Sequence, residues 1–154
     1  MPPLVVVNPQ SLKELVGREL GVTEWFAVSQ DRIALFAEAT EDRQWIHLDR
    51  IRASEESPYG TTIAHGFFTL SLISHFLKSA IHIQSGVRLA VNYGLNRVRF
   101  PAAVHADSRI RARVALLALK ELTDCVEATY SVTIEREQSE KPACVAEWIV
   151  RYYL

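Results

Sequence analysis

Two cysteines in 154 residues, Cys125 and Cys144, are too few for a disulfide framework and lack the spacing of a metal site. Both lie in apolar, strand-like surroundings and read as small buried hydrophobes of a reducing compartment. No apolar run approaches the roughly 18 residues that a membrane-spanning helix takes. The apolar start, Met1 to Gln10, lacks a basic flank, and its hydrophobic run is too short for a signal peptide. An excess of charge is missing too. Against 18 acidic residues stand 17 basic ones, a net of −1, so no strong field steers the chain to nucleic acid or anionic membrane. A cytoplasmic protein with neither as partner is expected. Repeats, low-complexity tracts and Gly/Ser linkers are absent, and the length fits one domain over residues 1–154.

What is present reads as α+β. Ser11-Leu-Lys-Glu14 has the spacing of a capping box and predicts a short helix. Residues 20–28 mix Val, Thr, Trp and Phe and predict a strand. Ser29 caps a helix to about Ala39 with Ile33, Phe36 and Ala37 on its buried face. A break follows over residues 40–48. Asp49 then caps a short polar helix to about Glu56, and residues 57–60 make a turn. Residues 66–83 predict one long helix on which Ser71, His75, Lys78 and His82 form a polar stripe. The rest of its surface is apolar, so other structure must wrap most of it. Residues 87–100, 109–122, 125–137 and 143–153 read as long strands joined by short links, which favour antiparallel hairpins. Arg109, Arg111 and Arg113 alternate with Ile110, Ala112 and Val114, as on a strand with one face in water. An antiparallel sheet curled around one central helix is the hot-dog architecture. Its open edge and apolar face call for a second subunit, hence at least a dimer.

Three segments carry candidate chemistry: residues 39–49, 60–66 and 92–101. Asp42 and His47 are five residues apart, which on a helix would not put them on one face. They straddle a break, so a loop can turn both inward to grip one water. Imidazole can take a proton near neutral pH and a carboxylate can pass one on. Gly66 opens the long helix, where backbone N–H groups lack partners and glycine admits a close ligand carbonyl. That is an oxyanion donor in waiting. Ser74, about two turns further, is placed to bond a substrate or its surroundings. Asn96, between basic residues, is a polar contact near the pocket. His65 reads as packing or as the residue that sets the turn, and Asp49 as a helix cap. Arg97, Arg99, Arg109, Arg111 and Arg113 are candidates for phosphate contact, and a solvated strand face explains them equally well.

Together these segments resemble the MaoC-like dehydratase family, which includes (R)-specific enoyl-CoA hydratases and the nodulation protein N group. The family motif runs Asp, any residue, Asn, Pro, an aliphatic, His, any residue, Asp. Here it reads Asp42-Arg-Gln44-Trp45-Ile-His47-Leu-Asp49, with Gln44-Trp45 in place of Asn-Pro. That departure, and the run from Asn92 to Phe100, look like the nodulation protein N branch. Ile63-Ala-His-Gly66 matches as well. The resemblance implies a homodimeric hot-dog subunit with a substrate tunnel between sheet and helix at the dimer interface. It implies reversible hydration of trans-2-enoyl-CoA to (R)-3-hydroxyacyl-CoA, without metal or redox cofactor, coenzyme A entering with the substrate. Asp42 and His47 match the catalytic pair, the Gly66 amide the oxyanion donor and Ser74 a serine near the active site. Gln44 falls in the catalytic loop, where it bears on the water site or the substrate preference. Two other readings compete. A hot-dog thioesterase would carry a carboxylate on the central helix, and residues 66–83 contain none. A non-catalytic acyl-CoA or acyl-carrier binding subunit would have lost the Asp or the His, and both are present.

Overall fold

Three long strands that alternate between buried and open residues over most of their length build the fold: β6 (Ser108–Glu121), β7 (Cys125–Arg136) and β8 (Cys144–Tyr153). They pair as antiparallel hairpins, β6 with β7 and β7 with β8. The structure, a computed structural model, describes residues 2–154. On the buried face lie Ile110, Ala112, Val114, Leu116, Tyr130, Val132, Ile134, Trp148 and Val150. On the opposite face the arginines expected in water pair with acids. Arg109 meets Glu137, Arg111 meets Glu135, and Arg113 meets Glu19 and Glu135. A solvated strand face is therefore the right account of these three, and none of them is free for a phosphate. Cys125 and Cys144 are buried free thiols, as their surroundings predict.

Residues 20–28 form two strands rather than one. β2 (Glu19–Val22) and β3 (Phe26–Val28) both pair with β6, and the chain breaks between them. At the break Thr23 Oγ1 accepts from the Ala112 N–H, which lets the strand bend around the core without orphaning that donor. β5 (Leu89–Arg99) does not form a hairpin with β6. The link through Pro101 crosses over, and β5 pairs antiparallel with β8, giving the order β2-β6-β7-β8-β5 with β3 also on β6. Short links favoured hairpins; the apolar residues of 102–106, packed beside Ala64, carry the chain across instead.

The N-terminal helix is a 3-10 turn, Pro9–Leu15, capped by Asn8 rather than by Ser11. Pro9 explains the shift, because its fixed φ and missing N–H suit the first helical position. α1 (Gln30–Thr40) starts at Ser29 as predicted and buries Ile33 and Ala37. The stretch read as a break contains one helical turn, α2 (Trp45–Leu48), and α3 (Arg50–Glu56) follows, capped by Asp49. The predicted long helix is two segments, α4 (Gly66–Ser71) and α5 (Ile73–Ala80). It ends earlier than expected: residues 81–83 become strand β4 (Ile81–Ile83), pairing in parallel with β1 (Leu4–Val6). The β-branched Ile-His-Ile run favours extended chain once a partner strand is in reach.

α4 lies against β8 and α5 against β2 and β6, so the sheet wraps the helix as a hot-dog fold. Phe76, at 1% exposure, is the most buried side chain of α4 and α5 and meets Phe26 edge-on, ring centroids 6.1 Å apart. Truncating it removes the plug between helix and sheet. Phe76→Ala is expected to cost about 3–5 kcal/mol of stability, read as a lower urea midpoint with an unchanged slope.

Candidate active site

Asp42, His47 and His65 converge from three elements. α1 ends with Glu41 in the left-handed region, φ 64°, which turns the chain sharply and leaves Asp42 at the start of a loop. Gln44 and Trp45 then set up α2. The Gln44 N–H leans toward Asp42 Oδ1 at 3.4 Å, and its carbonyl accepts from the His47 N–H. Gln44's side chain is exposed and caps nothing. Trp45 packs under the Arg52 guanidinium of α3, 4.2 Å from the ring centre. This stack does by contact what a proline would do by covalent restraint: it holds the first position of α2.

The loop is laced to the segment that precedes α4. The Ile63 N–H donates to the Ile46 carbonyl at 3.0 Å. The Ile63 carbonyl accepts from His47 Nδ1 at 2.6 Å. Gln30, in the first turn of α1, donates its amide to the His47 carbonyl at 2.7 Å and accepts from the fully buried Thr62 hydroxyl. Because a carbonyl only accepts, Nδ1 of His47 carries the proton and Nε2 bears the lone pair. Burial pushes the His47 imidazole below its ordinary value, and the neighbouring His65 adds to this. The Ile63 hydrogen bond and the Asp42 carboxylate pull it back in part. The result is a neutral base, pinned by one nitrogen and open at the other.

His65 stacks on His47 with ring centroids 3.7 Å apart and planes 23° off parallel. Its Nε2–H donates to the Asp42 carbonyl at 2.9 Å. One ligating atom each of Asp42, His47 and His65 lies within 4.8 Å of the others, the one such trio among the described residues. Two groups that far apart can share a water bonded at about 2.8 Å to each. The trio fits a metal ion poorly. The two rings are stacked and nearly parallel, and an ion bonded at about 2.0–2.1 Å cannot lie in both ring planes.

Gly66 follows His65 and opens α4. Its N–H has no turn before it to bond, and a Cβ there would meet the Phe100 ring at 3.1 Å. Ser74 lies elsewhere. It lines an apolar cavity of about 570 Å3 between α5, β5 and β8, with Leu77, Ile81, Val87, Trp148 and Val150. A second hollow of about 280 Å3 shares Ser74, Asn92 and Trp148 and extends toward Phe67 and Leu95. Ser71 and Ser79 bond back to carbonyls of their own helix, whereas Ser74 has no such bond. Neither hollow includes Asp42, His47 or His65. One chain therefore assembles the Asp42–His47–His65 group at the start of the central helix, with Gly66 next in sequence, and an apolar groove along its side. Asn96 joins neither; it is exposed on β5. Asn92 takes the place foreseen for it and accepts from the Trp148 indole at 3.1 Å. Register shifts between Asn92 and Gly94, and between Leu95 and Val98, break the alternation that would have distinguished them. Gln30, Thr62 and the role of His65 were not foreseen either. Gln30 and Thr62 carry no local signal, since what they bond is remote in sequence.

A candidate loop bonded to the approach of a buried helix, inside a curled antiparallel sheet, makes this a hot-dog fold, and the relatives below put it among the dehydratases. The chain belongs to the MaoC-like domain family, whose model matches residues 11–136. It is 50% identical over 142 residues to 3-hydroxyacyl-thioester dehydratase Z of Mycobacterium tuberculosis, covering 92% of this chain and 93% of that protein. Nodulation protein N of Rhizobium leguminosarum bv. viciae is 45% identical over 135 residues, 87% of this chain and 84% of that one. Among solved structures, the (R)-hydratase of A. caviae involved in PHA biosynthesis superposes with a TM-score of 0.70 at 25% identity, covering 88% and 94% of the two chains. No helix among the described residues is long and apolar enough to cross a membrane.

The lowered His47 imidazole links protonation to folding. Between its folded value and the ordinary 6.5, the unfolded chain binds more protons, so stability rises with pH across that window. The contribution is complete above 6.5 and is lost as pH falls through the folded value. His105, lowered by burial and by Arg136, acts in the same sense. Urea unfolding at about pH 7.5 and about pH 5.5 is expected to show the wild type losing more stability on acidification than His47→Gln.

Proposed function

We propose that the protein hydrates trans-2-enoyl thioesters of coenzyme A, reversibly, to (R)-3-hydroxyacyl thioesters. The observation that carries the reading is His47, a buried imidazole fixed as the Nδ1–H tautomer and facing the Asp42 carboxylate. Asp42 accepts one hydrogen bond from a water and orients it, and Nε2 of His47 takes its other proton as the oxygen bonds the β-carbon. The C=C π bond becomes an enolate whose thioester oxygen is met by the Gly66 N–H. The proton held on His47 returns to the α-carbon, so water is added across the double bond and the residues end as they began. No redox step occurs and none of these roles calls for a metal. The (R) stereochemistry follows the similarity to the (R)-hydratase.

The acyl chain fits the apolar cavity beside Ser74, whose unbonded hydroxyl faces it. Arg97 and Arg99 on β5 carry no ion pair among the described residues and are the free candidates for the phosphates of coenzyme A. The separation of the cavity from Asp42 and His47 within one chain supports a homodimer in which the groove of one subunit meets the catalytic loop of the other. β5 is an edge strand carrying exposed Leu89, Val91, Tyr93 and Leu95, with Phe67 nearby at 72% exposure. Such an edge invites a partner.

Wild-type protein mixed with crotonyl-CoA and longer trans-2-enoyl-CoAs is expected to remove the enoyl absorbance. Asp42→Asn and His47→Gln should each lower kcat by at least ~10²-fold while remaining folded. Wild-type rates in both variants would refute the mechanism, and no turnover at any chain length would favour a binding subunit. Sedimentation is expected to give twice the mass of one chain.

A further inference from the structure

His65 stands at the N-cap of α4, yet its side chain caps nothing in that helix. The usual cap residue would bond the free N–H groups of its own first turn. His65 instead reaches back 23 residues to the Asp42 carbonyl, and its ring lies flat against His47. Phe36 closes the other side, ring centroids 5.0 Å away. The ring is 3% exposed, and its Nδ1 is buried without a partner. A carbonyl only accepts, so Nε2 carries the proton and Nδ1 the lone pair. The groups facing the ring are the Asp42 carbonyl, the His47 imidazole and the apolar Phe36. None of them accepts a bond from Nδ1, which stays without a partner. Asp42 has little else to fix it: its side chain is exposed, and the one bond it accepts, from Gln44, is 3.4 Å long.

We propose that His65 is a positioning residue for the hydration reaction, setting Asp42 through its carbonyl and His47 through ring contact so that the two face one water. The proposal rests on the hydratase reading and goes beyond it by placing both catalytic groups under one side chain. His65 touches no reacting atom in this account.

Two variants separate its parts. His65→Phe keeps a flat ring and removes the donor; His65→Gln keeps a donor at the reach of Nε2 and removes the ring. In steady-state hydration of crotonyl-CoA, His65→Phe is expected to lower kcat at least ~10-fold with little change in KM, since misplacing a reacting group by about 1 Å costs on the order of 10²-fold. His65→Gln is expected to recover most of that loss, the bond to Asp42 outweighing the ring contact with His47. Wild-type kcat per folded molecule in His65→Phe, or equal losses in both variants, overturns the proposal. NMR supplies an arm that does not need activity. Ring 15N shifts should give the Nε2–H tautomer for His65 and Nδ1–H for His47, and the amide signals of residues 42–44 should move in His65→Phe and return in His65→Gln. The opposite His65 tautomer, or unmoved amides, also overturns it. If the wild type turns over no enoyl thioester, the hydratase reading fails by itself, and the NMR result still decides what His65 holds.

Discussion

The bond from His47 Nδ1 to the Ile63 carbonyl ties the loop of Asp42 and His47 to the segment that leads into the central helix. Ile63 lies three residues before Gly66, so the bond ties the position of the base to the position of the candidate oxyanion donor. It also decides which nitrogen of His47 holds a proton. Burial then keeps the ring neutral, because charging it would cost desolvation that one carbonyl does not offset. The loop itself is short, half-exposed and poor in regular structure, and it takes its shape from what it is bonded to.

That shape is held by several partners of different kinds. Gln30 bonds the His47 carbonyl and is braced by Thr62; Ile46 accepts from the Ile63 N–H; His65 bonds Asp42 and stacks on His47. Trp45 under Arg52 anchors the turn of α2 from outside. In the family motif an Asn-Pro pair occupies the place of Gln44-Trp45. Here the first position of α2 is held instead by packing of Trp45 against Arg52 of α3. The side chain of Gln44 is exposed and caps nothing.

The sheet carries a different division of labour. Its outer face neutralises its own arginines in pairs with Glu19, Glu135 and Glu137. Its edge strand β5 does the opposite. It keeps apolar side chains and two unpaired arginines in the open, and its two register shifts bend it along the groove beside α5. Pairing satisfies the broad face and leaves the edge open.

Much was legible in the chain itself. The hot-dog class followed from strand alternation and one mostly apolar helix, because a period of two or of about 3.6 is a local property that burial imposes on any sequence. The caps at Ser29 and Asp49 were legible for the same reason: the residue that bonds the free N–H groups is adjacent to them. Asp42, His47 and Gly66 were singled out by residue type and motif. What the chain alone did not decide is whatever depends on a partner far along it. Strand β4 exists because β1 lies beside it, β5 pairs with β8 and not β6, and Asn92 rather than Asn96 turns to the groove because of bulges set by the neighbouring strand. The work of Gln30, Thr62 and His65 belongs here as well, since each bonds a group 17 to 32 residues away. Sequence determines which chemistry is available and which local shapes are favoured. Only the tertiary structure decides which lone pair faces which carbonyl, because that is settled by contacts no local pattern encodes.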